Sequence, residues 1–172
     1  MFKLSKKIIE KKLYNKIIYL SRNKLLYTDF ALNDTFQNRI NLIFLHICFL
    51  FNKIKHEDNA LHYKDFYQKM FDYIFNQIEI NMREVGYGDV TVNKKMKLLV
   101  KSFYNILLEC ENYRKKTLKQ KTSFIYNYLS FNIDKNIEHS TKLIAYFDKY
   151  NVFCLDLSYD KVLKGELNFN YK

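Results

Sequence analysis

Apolar residues recur every three or four positions along most of this chain, which is the period of an α-helix. The longest periodic segments predict four helices, at 3–20, about 35–55, about 61–85 and about 92–114. Turn-forming residues between them predict a loop over 21–35, and a run of charged residues predicts another over 53–60. The segment 92–114 is the most clearly two-sided, with Met96, Phe103 and Leu107 on the side predicted to be buried.

The last third of the chain is less regular. Shorter helices are predicted at 124–131 and 142–150, and 151–158 indicates a short extended segment. Proline is absent and there are only three glycines in 172 residues, which favours helix throughout. We therefore expect a single compact all-α domain over 1–172, with at most a short extended segment or hairpin near 151–169.

Two of the three glycines lie between the segments 61–85 and 92–114. Gly86 stands where the end of a helix favours a left-handed residue, and Gly88 allows a second turn or a close backbone approach. Asp89 and Thr91 are candidate N-caps for the following helix. The stretch predicts a corner between two helices. Glu84 and Asp89 flank it, but capping and ion pairing explain them more simply than acid–base catalysis.

The charge is unevenly placed. Residues 1–24 and 91–121 each carry +7 of a formal net charge of +11, so the rest of the chain is slightly acidic. Such segments suit a negatively charged partner, such as RNA, a ribosome surface, anionic lipid or an acidic protein face. Solvated lysines that only keep the protein soluble are the alternative. The abundance of Lys and Asn is also typical of an AT-rich genome, so part of it can be mutational drift.

Several classes of function find no support. The chain has no P-loop, no glycine-rich dinucleotide fingerprint and no nucleophile elbow, so we expect no enzyme. Cys48, Cys110 and Cys154 are widely spaced, which argues against a disulfide framework or a metal site and favours a reducing compartment. No signal peptide is visible. The longest apolar run, 40–51, is too short to span a bilayer, which needs about 20 residues. No cofactor is expected.

One long motif resembles a known family. The residues Arg83-Glu84-x-Gly86-x-Gly88-Asp89-x-x-Val92-x-Lys94-x-Met96, followed by Phe103-Tyr104, resemble the signature of the ubiquinol–cytochrome c chaperone family. The resemblance covers roughly 13–169 and is strongest at 82–104 and at 34–46, where Arg39 and His46 match; a closing segment at 163–169 also matches. The family's Phe-Tyr-Gly-Arg is Phe103-Tyr104-Asn105-Ile106 here, so any role of that Gly-Arg pair is not carried over.

The resemblance implies an assembly chaperone that binds newly made cytochrome b for the biogenesis of respiratory complex III. It implies a protein that is cytoplasmic and peripheral to the bacterial inner membrane, or on the matrix side of the mitochondrial inner membrane in a eukaryote. No leader is seen before the matching region, which favours a bacterial source. A ribosome, an anionic membrane surface and a small helper protein are further expected partners. A basic helical RNA- or ribosome-binding protein without a chaperone role stays the alternative, although no sequence-specific nucleic-acid motif is present.

Two surfaces are candidates for binding a client. One is the stripe of Phe, Tyr and Met residues along 61–85, which could hold an apolar segment. The other is the corner with its basic rim. The partner-binding candidates are Arg83, Glu84, Gly86, Tyr87, Gly88, Asp89, Lys94, Lys97, Lys101, Phe103 and Tyr104. Arg39 and His46 are expected to be structural, with His46 a hydrogen-bonded core residue rather than a haem ligand.

Overall fold

The computed structural model describes residues 2–55, 60–132 and 137–171. The helices in these residues are α1 (Phe2–Ser21), α2 (Lys24–Thr28), α3 (Phe36–Lys55), α4 (Ala60–Glu84), α5 (Asp89–Glu111), α6 (Leu118–Tyr128), α7 (Ile137–Asp156) and α8 (Tyr159–Leu163). A short 3₁₀ helix, Tyr113–Lys115, follows α5. The described residues contain no strand, and their one β-type pairing is an isolated bridge between Leu32 and Phe131. The predicted all-α fold is confirmed.

The four long predicted helices correspond to α1, α3, α4 and α5, but several boundaries and two loops were wrong. The predicted loop 21–35 contains α2, which begins because the Asn23 side chain accepts the N–H of Leu25. Helix α6 starts earlier than predicted because Thr117 and Gln120 form a reciprocal capping box. Of the predicted loop 53–60, residues 53–55 belong to α3, residue 60 begins α4, and 56–59 lie outside the described residues.

The extended segment predicted at 151–158 is also wrong, because α7 continues to Asp156. Its buried residues Phe147, Tyr150 and Cys154 keep one helical period from the predicted helix into this segment. Taken alone, the short apolar run after Tyr150 fits a strand equally well, and only its continuity with 142–150 identifies it as helix. No hairpin forms in 151–169; α8 ends at Leu163, and 166–171 have no regular secondary structure.

Helix α3 is the centre of the fold. It packs against α1, α4, α5 and α7, and every residue from Ile40 to Phe51 is buried. Its aromatic side chains engage rings from three directions: Phe44 meets Phe75 and Phe103, and Phe49 stacks on Phe147. Such ring pairs add about 0.5–1.5 kcal/mol each beyond the area they bury. The core is therefore built around one helix that has almost no solvent-facing side.

His46 lies inside that core, as predicted. Its Nδ1 is 2.6 Å from the carbonyl oxygen of Leu42, and its Nε2 is 2.7 Å from the hydroxyl of Tyr146. A carbonyl can only accept, so Nδ1 carries the proton and Nε2 accepts from Tyr146 in the neutral ring. The Tyr150 hydroxyl donates to the His46 carbonyl at 3.1 Å. Burial lowers the pKa of His46 to about 4, so the ring joins α3 to α7 in its neutral form.

The corner between α4 and α5 has the geometry that the glycines predict. Gly86 has φ +98°, its N–H donates to the carbonyl of Arg83 at 2.9 Å, and the N–H of Tyr87 donates to that of Met82 at 3.1 Å. These two bonds form a Schellman motif, which closes the end of α4. Gly88 has φ −72° and ψ 159°, values that any residue can adopt.

The N-cap prediction for the corner was wrong. Gly88 is the N-cap of α5, and its carbonyl accepts the first helical bond, from Val92 at 3.0 Å. Asp89 is the first helical residue, and Thr91 lies inside the first turn. The Asp89 carboxylate is held by the guanidinium of Arg83 instead of capping the backbone. Its negative charge still interacts favourably with the positive end of the helix dipole.

We expect Gly86→Val to lower the free energy of unfolding by about 1–3 kcal/mol, because a β-branched residue is strained at positive φ. Nothing lies within 4 Å of a Cβ built at Gly86, so the cost would come from the backbone alone. Gly88→Ser is the matched control, since serine is a good N-cap and fits the observed φ and ψ. Urea unfolding of both variants measures the difference. Equal stability of the two would show that the left-handed conformation of Gly86 is not needed.

We also expect stability to fall as the pH drops below 6.5. Between pH 6.5 and about 4 the unfolded chain binds a proton at His46 and the folded chain does not, so this residue costs about 1.4 kcal/mol per pH unit. Above pH 6.5 both states are neutral at His46 and the effect vanishes. Urea unfolding at several pH values, together with NMR of the imidazole, tests this. An imidazole that titrates near pH 6.5 in the folded protein would contradict it.

Candidate functional site

Arg83 links the two sides of the corner. Its Nη2 donates to Oε1 of Glu79 at 2.9 Å, and its Nη1 donates to Asp89 at the start of α5. These hydrogen bonds raise the pKa of Arg83, and the bond to Asp89 has the larger effect of the two. Glu84, next to it, is exposed. The Glu79–Arg83 pair spans one turn of α4, and the guanidinium also ties α4 to α5.

Tyr87 lies at the tip of the corner, partly exposed, and the ammonium group of Lys95 stands 5.2 Å from its ring centroid. This cation–π contact covers one face of the ring. Val85, one residue before the left-handed glycine, is largely exposed. The corner therefore offers apolar surface as well as charge to solvent.

The buried side of α5 faces α3 and α4. Phe103 is fully buried, with its ring centroid 5.3 Å from that of Phe44 and 5.4 Å from that of Phe71. A residue so enclosed cannot contact a partner directly, so its place among the partner-binding candidates was wrong; it anchors α5 in the core. Tyr104, its neighbour in the motif, is turned outward and is about half exposed.

The outer side of α5 carries the three predicted lysines. Lys94, Lys97 and Lys101 are all exposed, and none has an ion-pair partner among the described residues. The charge of this side is therefore not neutralised by the protein itself, as far as the described residues extend.

Apolar side chains are interleaved with those lysines. Val90 is 69% exposed, Leu98 68%, Leu108 63% and Tyr104 45%. With 3.6 residues per turn, all of them project from the same side as the lysines. We call this surface the α5 strip: Val90, Lys94, Lys97, Leu98, Lys101, Tyr104 and Leu108. The sequence analysis named the lysines and Tyr104 of this side but not its leucines, although a helical projection of 89–111 would have found them.

Exposed apolar residues are concentrated in this part of the molecule. Of the eleven large hydrophobic residues exposed in the described chain, six lie between Val85 and Leu108. Single exposed hydrophobic residues are ordinary on protein surfaces, whereas a contiguous set rimmed by charge marks an interaction site. The α5 strip and the corner together form the best candidate site.

The other candidate surface, the aromatic and Met stripe of α4, is largely covered. Phe66, Met70, Ile74, Ile78 and Met82 are buried in the core. The rings of Tyr63, Tyr67 and Phe71 are partly buried against it. The stripe therefore serves mainly as core, and its second use as a client groove stays a prediction. More of the exposed apolar surface lies on α5 and the corner.

Arg39, the remaining motif match, lies elsewhere. Its Nε donates to Oδ1 of Asp34 at 2.6 Å and its Nη2 to Oδ2 at 2.8 Å, a bidentate pair that lowers the pKa of Asp34. Both side chains are about half exposed. The pair lines a separate cleft to which neither the corner nor α5 contributes.

The described residues offer no group of three or more His, Cys, Asp or Glu side chains placed to hold a metal ion. Cys48, Cys110 and Cys154 are all buried, and burial raises the pKa of each thiol, so they stay protonated. Among the described helices, none is long and apolar enough to cross a membrane.

Two comparisons with known proteins found a likeness. A crystal structure described as the Cbp3 homolog from Brucella abortus superimposes with a TM-score of 0.82 over 98% of this chain and 92% of that one, at 21% sequence identity. At that identity the likeness shows the fold. A search among curated proteins found no match.

The sequence profile described as ubiquinol-cytochrome C chaperone matches residues 28–169, which include the corner, α5 and the Arg39 segment. This match covers most of the chain and supports a chaperone role in the assembly of complex III. The chain belongs to the ubiquinol–cytochrome c chaperone family.

Proposed function

We propose that this protein binds newly made cytochrome b during the assembly of complex III, and that the α5 strip makes the contact. Family membership supports the class of function. The observation that carries the site is the uncovered row of leucines and lysines on a helix whose other side is fixed in the core. A client from a membrane protein has long apolar segments, and these would complement Leu98, Leu108 and Tyr104.

The apolar part of the strip would supply most of the affinity. Complete burial of a leucine side chain is worth about 1.5–3 kcal/mol, so Leu98 and Leu108 together would contribute several kcal/mol. Val90 extends the same row by about two helical turns before Leu98, and Tyr104 lies between Leu98 and Leu108. The row is long enough for a helical client segment to lie along it.

The lysines would act differently. Charges at the rim of an interface chiefly raise the association rate and fix orientation, and they favour an acidic loop or headgroup beside the apolar segment. They also keep the free protein soluble while its leucines are exposed. Work on a membrane client would take place at the inner membrane, with the chaperone at its surface.

The corner would prepare the strip for binding. Arg83 and the Schellman motif fix the start of α5, and Phe103 anchors its middle in the core. A surface that is rigid before binding loses little conformational entropy when the client arrives. The motif residues 83–89 would thus support the contact without having to touch the client.

Reversal of the three lysines tests the charged part. Lys94→Glu, Lys97→Glu and Lys101→Glu together should leave the fold intact, since exposed lysines contribute within about half a kcal/mol each. In a deletion strain of the host, we expect the triple variant to fail to restore cytochrome b and complex III activity, with other respiratory complexes spared. Circular dichroism and urea unfolding establish that the variant is folded.

The matched control reverses three exposed basic residues elsewhere, Arg114, Lys115 and Lys119, and changes the net charge equally. The control should restore complex III. A folded triple variant of the α5 strip that restores complex III as fully as the wild type would remove these lysines from the mechanism. A deletion strain with normal complex III would contradict the chaperone function itself.

Leu98→Ser with Leu108→Ser tests the apolar part. Both side chains are mostly exposed, so we expect little change in the free energy of unfolding but at least a tenfold loss of co-purifying cytochrome b. Leu118→Ser with Val152→Ser, at exposed positions on α6 and α7, is the matched control. If lysine reversal abolishes association and the leucine variant does not, the contact is purely electrostatic, as expected for RNA.

A further inference from the structure

A concave surface lies where the end of α1, α2 and the start of α3 meet. Its lining encloses a cleft of about 460 Å³, formed by Arg22, Lys24, Tyr27, Thr28, Asp34 and Arg39. We call it the Arg22 cleft. No residue of the α5 strip or of the corner takes part in it, so it is independent of the proposed client contact.

The cleft has an excess of positive charge. Asp34 is its one acidic lining residue and is occupied by the bidentate pair with Arg39. Arg22 and Lys24 are exposed, and among the described residues neither side chain has an ion-pair partner. The lining therefore carries a formal charge of +2 after the pair is counted, and both unpaired cations are available to a ligand.

Arg39 occupies a position that helix stability alone does not favour. It is the fourth residue of α3, close to the positive end of the helix dipole, where a cation is unfavourable. Asp34 offsets this cost and also fixes the guanidinium plane. The Nε and Nη2 groups are directed to Asp34, so the Nη1 group remains able to donate to an anion.

The backbone that carries the two unpaired cations is well fixed. The N–H of Arg22 donates to the carbonyl of Ile18 at 3.0 Å, and Asn23 caps α2 through the N–H of Leu25 at 3.1 Å. The Tyr27 hydroxyl donates to the carbonyl of Ser21 at 2.8 Å, which joins α2 to the end of α1. Arg22 and Lys24 thus flank a turn of defined shape and do not project from a free loop.

A larger cleft of about 690 Å³ adjoins the first and shares Arg22 and Lys24 with it. Its other lining residues are two asparagines, Asn15 and Asn23, and two residues with apolar side-chain surface, Ile18 and Tyr19. Tyr19 is 75% exposed, the most exposed large apolar side chain among the described residues. Beside the cations there is accordingly room for the uncharged remainder of a ligand, with an aromatic ring to pack on it.

We propose that the Arg22 cleft binds the phosphate group of a phosphate ester, with Arg22, Lys24 and the Nη1 group of Arg39 as donors. A phosphate ester carries one or two negative charges and three acceptor oxygens, which match three cationic donors better than a single carboxylate does. The adjoining cleft takes the organic part. A soluble phosphate ester and a phospholipid headgroup share this chemistry.

The test measures binding of two probes to the full chain. Titration with sn-glycerol 3-phosphate, followed by NMR, reports the soluble source. Flotation with vesicles of phosphatidylcholine, with and without phosphatidic acid, reports the lipid source. The variant Arg22→Gln with Lys24→Gln removes two charges and keeps the side chains polar. Arg114→Gln with Lys115→Gln, at exposed positions after α5, removes the same charge elsewhere.

We expect the Arg22/Lys24 variant to lose at least tenfold in affinity for whichever probe binds, while the Arg114/Lys115 variant stays within twofold of the wild type. Binding of the soluble ester identifies a soluble source, and binding only to phosphatidic acid vesicles identifies a headgroup. Equal losses in both variants would mean that general positive charge explains the binding and would overturn the site. Absence of binding to either probe would overturn it as well.

Discussion

A helix that is buried along most of its length must satisfy the polar side chains of that part from within the protein, and α3 is such a helix. Asn38 donates to the carbonyl of Ser130 at 2.7 Å and accepts its N–H at 3.0 Å, so one amide side chain pairs with the backbone as a strand would. Asn41 donates to the carbonyl of Tyr128, and His46 accepts from Tyr146. Loss of one such partner leaves a buried polar group unpaired at a cost of about 1–3 kcal/mol. These bonds fix how α3 meets the end of α6 and α7.

Helix α5 packs one side against α3 and α4 in the core, and its other side faces solvent. Phe103 and Ile106 are fully buried, while Leu98 and Leu108, on the other side of the same helix, are left in solvent. Among the side chains whose exposure the structure describes, no other helix has as many exposed large hydrophobic residues. Folding gains nothing from these leucines, whereas exposed apolar surface favours aggregation. Their position beside lysines that have no ion-pair partner among the described residues supports the proposed contact with a client.

The sequence predicted the long helices because their apolar period is strong, and it predicted the turn at Gly86 because few other residues suit positive φ. It failed where a contact between two elements overrode the local preference of a residue. Asp89 is a good N-cap by type, but the Arg83 guanidinium takes its carboxylate, and Gly88 caps the helix instead. The Asn content, attributed in part to mutational drift, includes Asn38 and Asn41, whose roles depend on backbone carbonyls about 90 residues away.

The candidate surfaces were harder to predict than the fold, because exposure depends on which helices are neighbours. The Phe, Tyr and Met stripe of α4 and the leucines of α5 are both apolar at helical spacing, and periodicity alone does not say which of them is covered. Packing of α4 on α1, α3 and α5 covers the first and leaves the second free. The Arg22 cleft depends likewise on α3, which brings Arg39 to the same cleft as Arg22 and Lys24. The packing of α3 and its neighbours thus determines which charged and apolar residues stay exposed next to one another.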